Sequence, residues 1–171
     1  MGLFGKIRDV MTGTKRPDHD TPILSSEEVK KKILAVNRDT APFQIKEGGE
    51  EKADLVAEWK IVDAKWYEIF AKAGKKDTFK ILLTLNPETH EVLALDKRFT
   101  VEWSAGIPKL SIDATYFRGQ QQAKSFGTAY AFTEELRPGQ VYNYRFDTGE
   151  LKKPLQTAIL SCGWSYKGVV K

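Results

Sequence analysis

Apolar residues fall at helical spacing at the two ends of the chain and at alternate positions through most of its middle. Leu3, Phe4, Ile7, Val10 and Met11 lie within an arc of about 120° when successive residues are stepped by about 100°, which predicts a helix in a segment spanning residues 1–13. Residues 14–24, TKRPDHDTPIL, hold Pro17 and Pro22 and little apolar content, and read as a flexible linker. Ser25 and Glu28 have the spacing of a capping box, and Val29, Ile33, Leu34 and Val36 follow on one face, predicting a helix over residues 26–37 that Pro42 prevents from extending.

From Phe43 the period drops to two, the signature of strands with one buried face. Phe43 and Ile45 lead into Gly48-Gly49, and Leu55, Ala57, Trp59 and Ile61 return, which reads as a hairpin. Phe79, Ile81, Leu83 and Leu85 precede the turn residues 86–90, after which Val92 and Ala94 resume. Phe99, Val101 and Trp103 form the next alternating set. Leu110, Ile112, Ala114 and Tyr116 form another, with Gly106 and Pro108 between the two. A polar loop over residues 118–125 separates these from Phe126–Phe132 and Tyr142–Phe146. Leu151, Leu155, Ala158, Ile159 and Cys162 return to helical spacing. Pro154 lies inside that run, so the helix is expected to start near Lys153 or Pro154 and to stop at Gly163. Trp164, Tyr166 and Val170 suggest a last strand.

Strands joined by short turns, without strand–helix alternation, exclude a doubly wound parallel sheet. The expectation is a single α+β domain over residues 25–171. Its sheet would be mostly antiparallel, strongly twisted or barrel-like, of about seven to nine strands, with a helix near each end. The N-terminal amphipathic segment stands outside it.

Composition narrows the chemistry. A chain of 171 residues, 41% of them hydrophobic, can bury a self-sufficient core. One Cys and two His cannot supply a four-ligand zinc set or an internal disulfide. The net charge of +4 is concentrated at the start, where Lys6, Arg8, Lys15 and Arg16 face Asp9 alone. The remaining residues are nearly neutral, so the basic stripe of a nucleic-acid reader is missing and no nucleic acid partner is expected. The sequence holds no G-x-S-x-G, P-loop, G-x-G-x-x-G or H-E-x-x-H motif. Cys162 falls on the apolar face of its helix and reads as packing. No cofactor is expected.

Three functional readings remain. The first is a non-enzymatic binding domain that docks weakly, through its N-terminal helix, on an anionic membrane surface or a protein partner. Leu3, Phe4, Ile7, Val10 and Met11 would make the apolar contact, with Lys6, Arg8, Lys15 and Arg16 as basic neighbours. The apolar run is interrupted by Lys6, Arg8 and Asp9, unlike a signal peptide, and position 6 is Lys where a myristoylation site requires Ser or Thr. A cytoplasmic, membrane-peripheral protein is therefore expected. The second reading is a carrier or sensor of an apolar small molecule, held in an aromatic-lined curved sheet by Trp59, Trp66, Trp103, Tyr130 and Tyr144. The third is an enzyme using strand carboxylates, Glu102 and Asp113 near Arg98.

Overall fold

In a computed structural model, which describes residues 2–39, 41–60, 71, 77–112, 130–132, 142–144 and 148–169, the chain is an α+β protein built on an open sheet. Helix α1 spans Leu3–Thr12 and α2 spans Ser26–Leu34. Strands β1 (Phe43–Glu47) and β2 (Leu55–Trp59) flank a short 3-10 turn at Gly49–Glu51. They are followed by β3 (Asp77–Asn86), β4 (Glu91–Ser104) and β5 (Ile107–Ile112). Strands β6 (Tyr130–Phe132) and β7 (Tyr142–Tyr144) form a separate two-stranded ladder. Helix α3 (Thr148–Ser161) and strand β8 (Ser165–Gly168) complete the described chain.

The expected capping box is present. The Ser25 hydroxyl accepts from the Glu28 amide, and the Glu28 carboxylate accepts from the Ser25 amide at 2.9 Å, so two amides that helix geometry leaves unpaired are satisfied. The helix stops short of the expected residue 37 because Asn37 turns to β1. Its side chain donates to the Ile45 carbonyl and accepts from the Ile45 amide, both at 2.7 Å. A single side chain thus occupies hydrogen-bonding groups on the outer edge of β1, where another strand could otherwise add.

The main sheet runs β1-β2-β3-β4-β5, all antiparallel neighbours, and β8 joins β4 in parallel. The barrel alternative is therefore corrected: the sheet is open. Among the described residues it has six strands rather than seven to nine: β4 is one strand of 14 residues where the alternation suggests two, and β6 and β7 pair with each other in a ladder of their own. Its register with β3 is unbroken from Asn86↔Glu91 to Asp77↔Thr100. The buried positions nevertheless change parity, from Val92, Ala94 and Asp96 to Phe99 and Val101. One continuous strand thus buries one face in its first half and the opposite face in its second. The two halves also have different neighbours, with β8 beside Glu91–Ala94 and β5 beside Phe99–Ser104.

The core lies where α2 and α3 cover the sheet. Val29 and Ile33 of α2, Leu151, Leu155 and Ile159 of α3, and Cys162 just after it are buried with Phe43, Ile45, Leu55, Ala57, Ile81, Leu83, Val92, Ala94 and Tyr166. Helix α3 begins at Thr148, before the expected start, and carries Pro154 in its interior. Burial of Leu151 on the same stripe as Leu155 favours the extra turn over the hydrogen bond that proline removes. Gly163 ends the helix with φ 73°, as its position suggested, and a β-carbon there would lie 2.5 Å from the Pro22 carbonyl oxygen. Residues 14–24 run beside this end of the molecule. Lys15 forms a β-bridge with Tyr166, the Leu24 amide bonds to Cys162, and the Trp164 indole donates to the Leu24 carbonyl at 2.8 Å.

Candidate docking surface

Helix α1 forms as the spacing predicts, but local devices support it weakly. Its N-cap is Gly2 with no side-chain bond, no acid occupies the first turn and no base the last. At ten residues such a helix is marginal by itself in water. The support comes from its C-terminal side. Gly13 adopts φ 67°, and the amides of Gly13 and Thr14 bond to the carbonyls of Val10 and Asp9. The Thr12 and Thr14 hydroxyls meet at 2.7 Å, and the Gly168 amide donates to the Thr14 hydroxyl. Two backbone bonds between Lys15 and Tyr166 then fasten the segment to β8.

Arg16 folds back on the helix and forms a two-point bond with Asp9, at 2.7 Å from Nε and 3.2 Å from Nη2. The hydrogen bond from Arg16 holds the Asp9 carboxyl below its usual range, and Asp9 in turn raises the Arg16 guanidinium.

The orientation of α1 is unusual for a helix attached to a folded body. Its half-buried residues are Gly5, Asp9 and Thr12, whereas Leu3, Phe4, Ile7, Val10 and Met11 are exposed, from 48% at Ile7 to 89% at Phe4. Its small and polar side therefore faces the protein, and its apolar side faces outward. Stepping the residues by about 100° places Lys6 and Arg8 about 40° beyond either edge of the apolar arc, and both are exposed. Lys15 is exposed just past the helix, and the only acid in the segment, Asp9, lies on the opposite side in the grip of Arg16. Contiguous apolar surface bordered by charge is the usual appearance of an interaction site.

Of the aromatic residues of the carrier reading, Trp59 and Trp103 lie in the main sheet. Registered pairing puts Trp59 on the face of the sheet that carries Ala57, Ile81 and Asp96, and Trp103 on the other. Trp59 is buried edge-on against Phe43, with ring centroids 6.1 Å apart. Tyr130 and Tyr144 lie directly opposite each other in the β6–β7 ladder, and Trp66 lies outside the described residues. Of the carboxylates, Glu102 is exposed opposite Lys109 in the β4–β5 register, and Arg98 stands opposite Phe79. Asp113 also lies outside the described residues. Cys162 is buried among Leu155 and Ile159, and its thiol donates to the Ala158 carbonyl.

Two ionic groupings were not legible as such in the sequence. The Asp96 carboxylate, fully buried on the helix-covered face, binds Lys152 of α3 at 2.6 Å. Burial pulls the Lys152 ammonium down from its ordinary value more strongly than Asp96 lifts it, and burial pushes the Tyr166 hydroxyl well up, with the Asp96 charge adding to the rise. On the opposite face, Gln44, Glu58, Lys80 and Lys97 form one cross-strand row. Buried Glu58 accepts from Gln44 and pairs with Lys46 and Lys80, while Glu51 pairs with Lys80 and Lys97. Burial raises the Glu58 carboxyl, but the hydrogen bonds from Lys46 and Gln44 and the nearby ammonium charges together hold it below its usual value. Their signal in the sequence was a charged residue at a strand or helix position otherwise fit for burial, and the pairing partners come from distant segments.

Comparison with known proteins returned no matching family model, no matching curated protein and no matching solved structure. Among the described residues no helix is long and apolar enough to cross a bilayer.

Proposed function

We propose that the protein is a binding domain that docks peripherally on an anionic membrane surface through α1. The observation that carries this reading is the outward apolar face of a helix whose small and polar side is turned to the body. The chemistry of the occupant follows from the charges around that face. A second copy of α1 would set Lys6 and Arg8 against cations, with Asp9 already bound to Arg16. Lipid phosphates and carboxylates at an interface instead match basic residues flanking an apolar stripe, which snorkel while the stripe enters the acyl boundary.

The magnitudes describe a weak attachment. The exposed fractions amount to about three and a half side chains, and burial at about 1.5 kcal/mol each contributes about 5 kcal/mol. Lys6, Arg8 and Lys15 add about 1 kcal/mol each near an anionic surface. Association removes at least about 4 kcal/mol. The remainder corresponds to dissociation near about 1 mM, reversible and sensitive to salt.

Flotation of the full chain with phosphatidylglycerol/phosphatidylcholine vesicles tests this, with phosphatidylcholine vesicles and high salt as the comparison arms. Phe4→Ser combined with Met11→Ser removes two strongly exposed apolar groups and should lower partitioning about 100-fold, from about 3 kcal/mol of lost burial, with the melting temperature unchanged. Equal flotation of the variant and the original chain would refute the reading, as would binding to a protein or to a second copy without any binding to vesicles.

A further inference from the structure

Resting on the docking reading of α1, we propose that Asp9 and Arg16 are positioning residues whose ion pair holds the helix folded, with its apolar side outward, before any surface is met. The case begins with what α1 lacks. It has no side-chain N-cap, no acid in its first turn and no buried side chain, so neither propensity nor core packing orders it. Order has to be imported from residues 13–16. Gly13 reverses the chain and Lys15 is fixed to β8, which brings Arg16 back onto Asp9 in the last turn of the helix.

The contact is a fork of two bonds, from Nε and Nη2 to the two carboxylate oxygens, to a carboxylate that is only 13% exposed. A planar guanidinium bound at two points fixes direction as well as distance, which a single ammonium contact does not. Asp9 lies on the helix side opposite Ile7, the middle of the apolar arc, so the bond pulls the polar side inward and leaves the apolar side in solvent. The pair also removes the one negative charge of the segment from the field that an anionic surface would meet. Docking then proceeds with a preformed helix, and little of the binding free energy is spent on ordering it.

The test separates positioning from net charge. Asp9→Asn with Arg16→Gln leaves the net charge of the full chain unchanged, because one acid and one base are lost together. If charge alone mattered, binding to phosphatidylglycerol/phosphatidylcholine vesicles would not change. The positioning role predicts about a five-fold loss, the factor expected from a well-formed pair at the upper end of the surface range, together with faster amide exchange of residues 6–12 in the vesicle-free protein and an unchanged global melting temperature. Asp9→Asn alone, which makes the segment more basic, should not tighten binding by the several-fold that an added net charge would otherwise give. Wild-type binding that the double variant retains in full, or unchanged exchange in α1, would overturn the proposal. Absence of vesicle binding by the wild-type chain would count against the docking reading, and the exchange comparison would still decide whether the pair orders the helix.

Discussion

Replacing Lys152 by Met tests the account of the buried Asp96–Lys152 pair. The ammonium lies 2.6 Å from a carboxylate with no exposed side-chain surface, and it is itself 10% exposed. Because burial depresses the Lys152 ammonium despite the adjacent carboxylate, desolvation outweighs attraction, and the pair as a whole adds little to stability. Its halves are another matter. Lys152→Met keeps the apolar stem but strips Asp96 of its ammonium, and removing one partner of a buried pair costs about 3–5 kcal/mol. For a chain of this size that is a fall of about 10 °C in melting temperature. Acid should soften the defect, since a carboxyl that takes up a proton no longer carries a buried charge. Guanidinium denaturation at neutral and mildly acidic pH measures both effects. Asp96→Leu with Lys152→Met, which removes both charges, should return to within about 1 kcal/mol of the original. A single variant costing less than about 1 kcal/mol, or a double variant as unstable as the single, would refute the reasoning.

Tyr166→Phe should be tolerated although the residue is completely buried, because its hydroxyl is enclosed without a hydrogen-bond partner among the described residues. Removing it should add about 1 kcal/mol at neutral pH, measured by chemical denaturation. The sign of the alkaline effect follows from burial, which raises the folded-state Tyr166 above its unfolded value. Above about pH 10 the unfolded state releases a proton that the folded state keeps, so stability falls by up to about 1.4 kcal/mol per pH unit, and Tyr166→Phe should flatten that limb. Lys152 works in the other direction: its lowered folded value makes stability rise with pH up to about 10.5, where the unfolded lysine has lost its proton. Asn37→Ala should cost about 2 kcal/mol by freeing the Ile45 amide and carbonyl, and should increase self-association through β1, read by thermal melts and light scattering.

Local rules foretold several elements because their causes lie within a few residues. The Ser25–Glu28 box, the glycine stop at Gly163, the hairpin of β1 and β2 and the apolar arc of α1 each depend on spacing along the chain. Alternation located the faces of β3 but misjudged β4. A change of parity between Asp96 and Phe99 reads equally as two strands or as one strand that changes its buried face, and the choice depends on the uninterrupted partner β3. The start of α3 was misplaced because the preference of proline for a first turn is small beside the burial of Leu151.

The chain order of charges and apolar groups thus determined that residues 3–12 form a helix with an apolar stripe and that a β-rich body of nearly balanced charge follows it. Only the folded arrangement decided which way that stripe points, that β8 joins the sheet in parallel, and that Lys152 meets Asp96 across 56 residues. The physical reason is range: propensity, capping and periodicity act over one or two turns of chain. Burial, the pairing of distant charges and the closing of a sheet depend on which surfaces finally exclude water together.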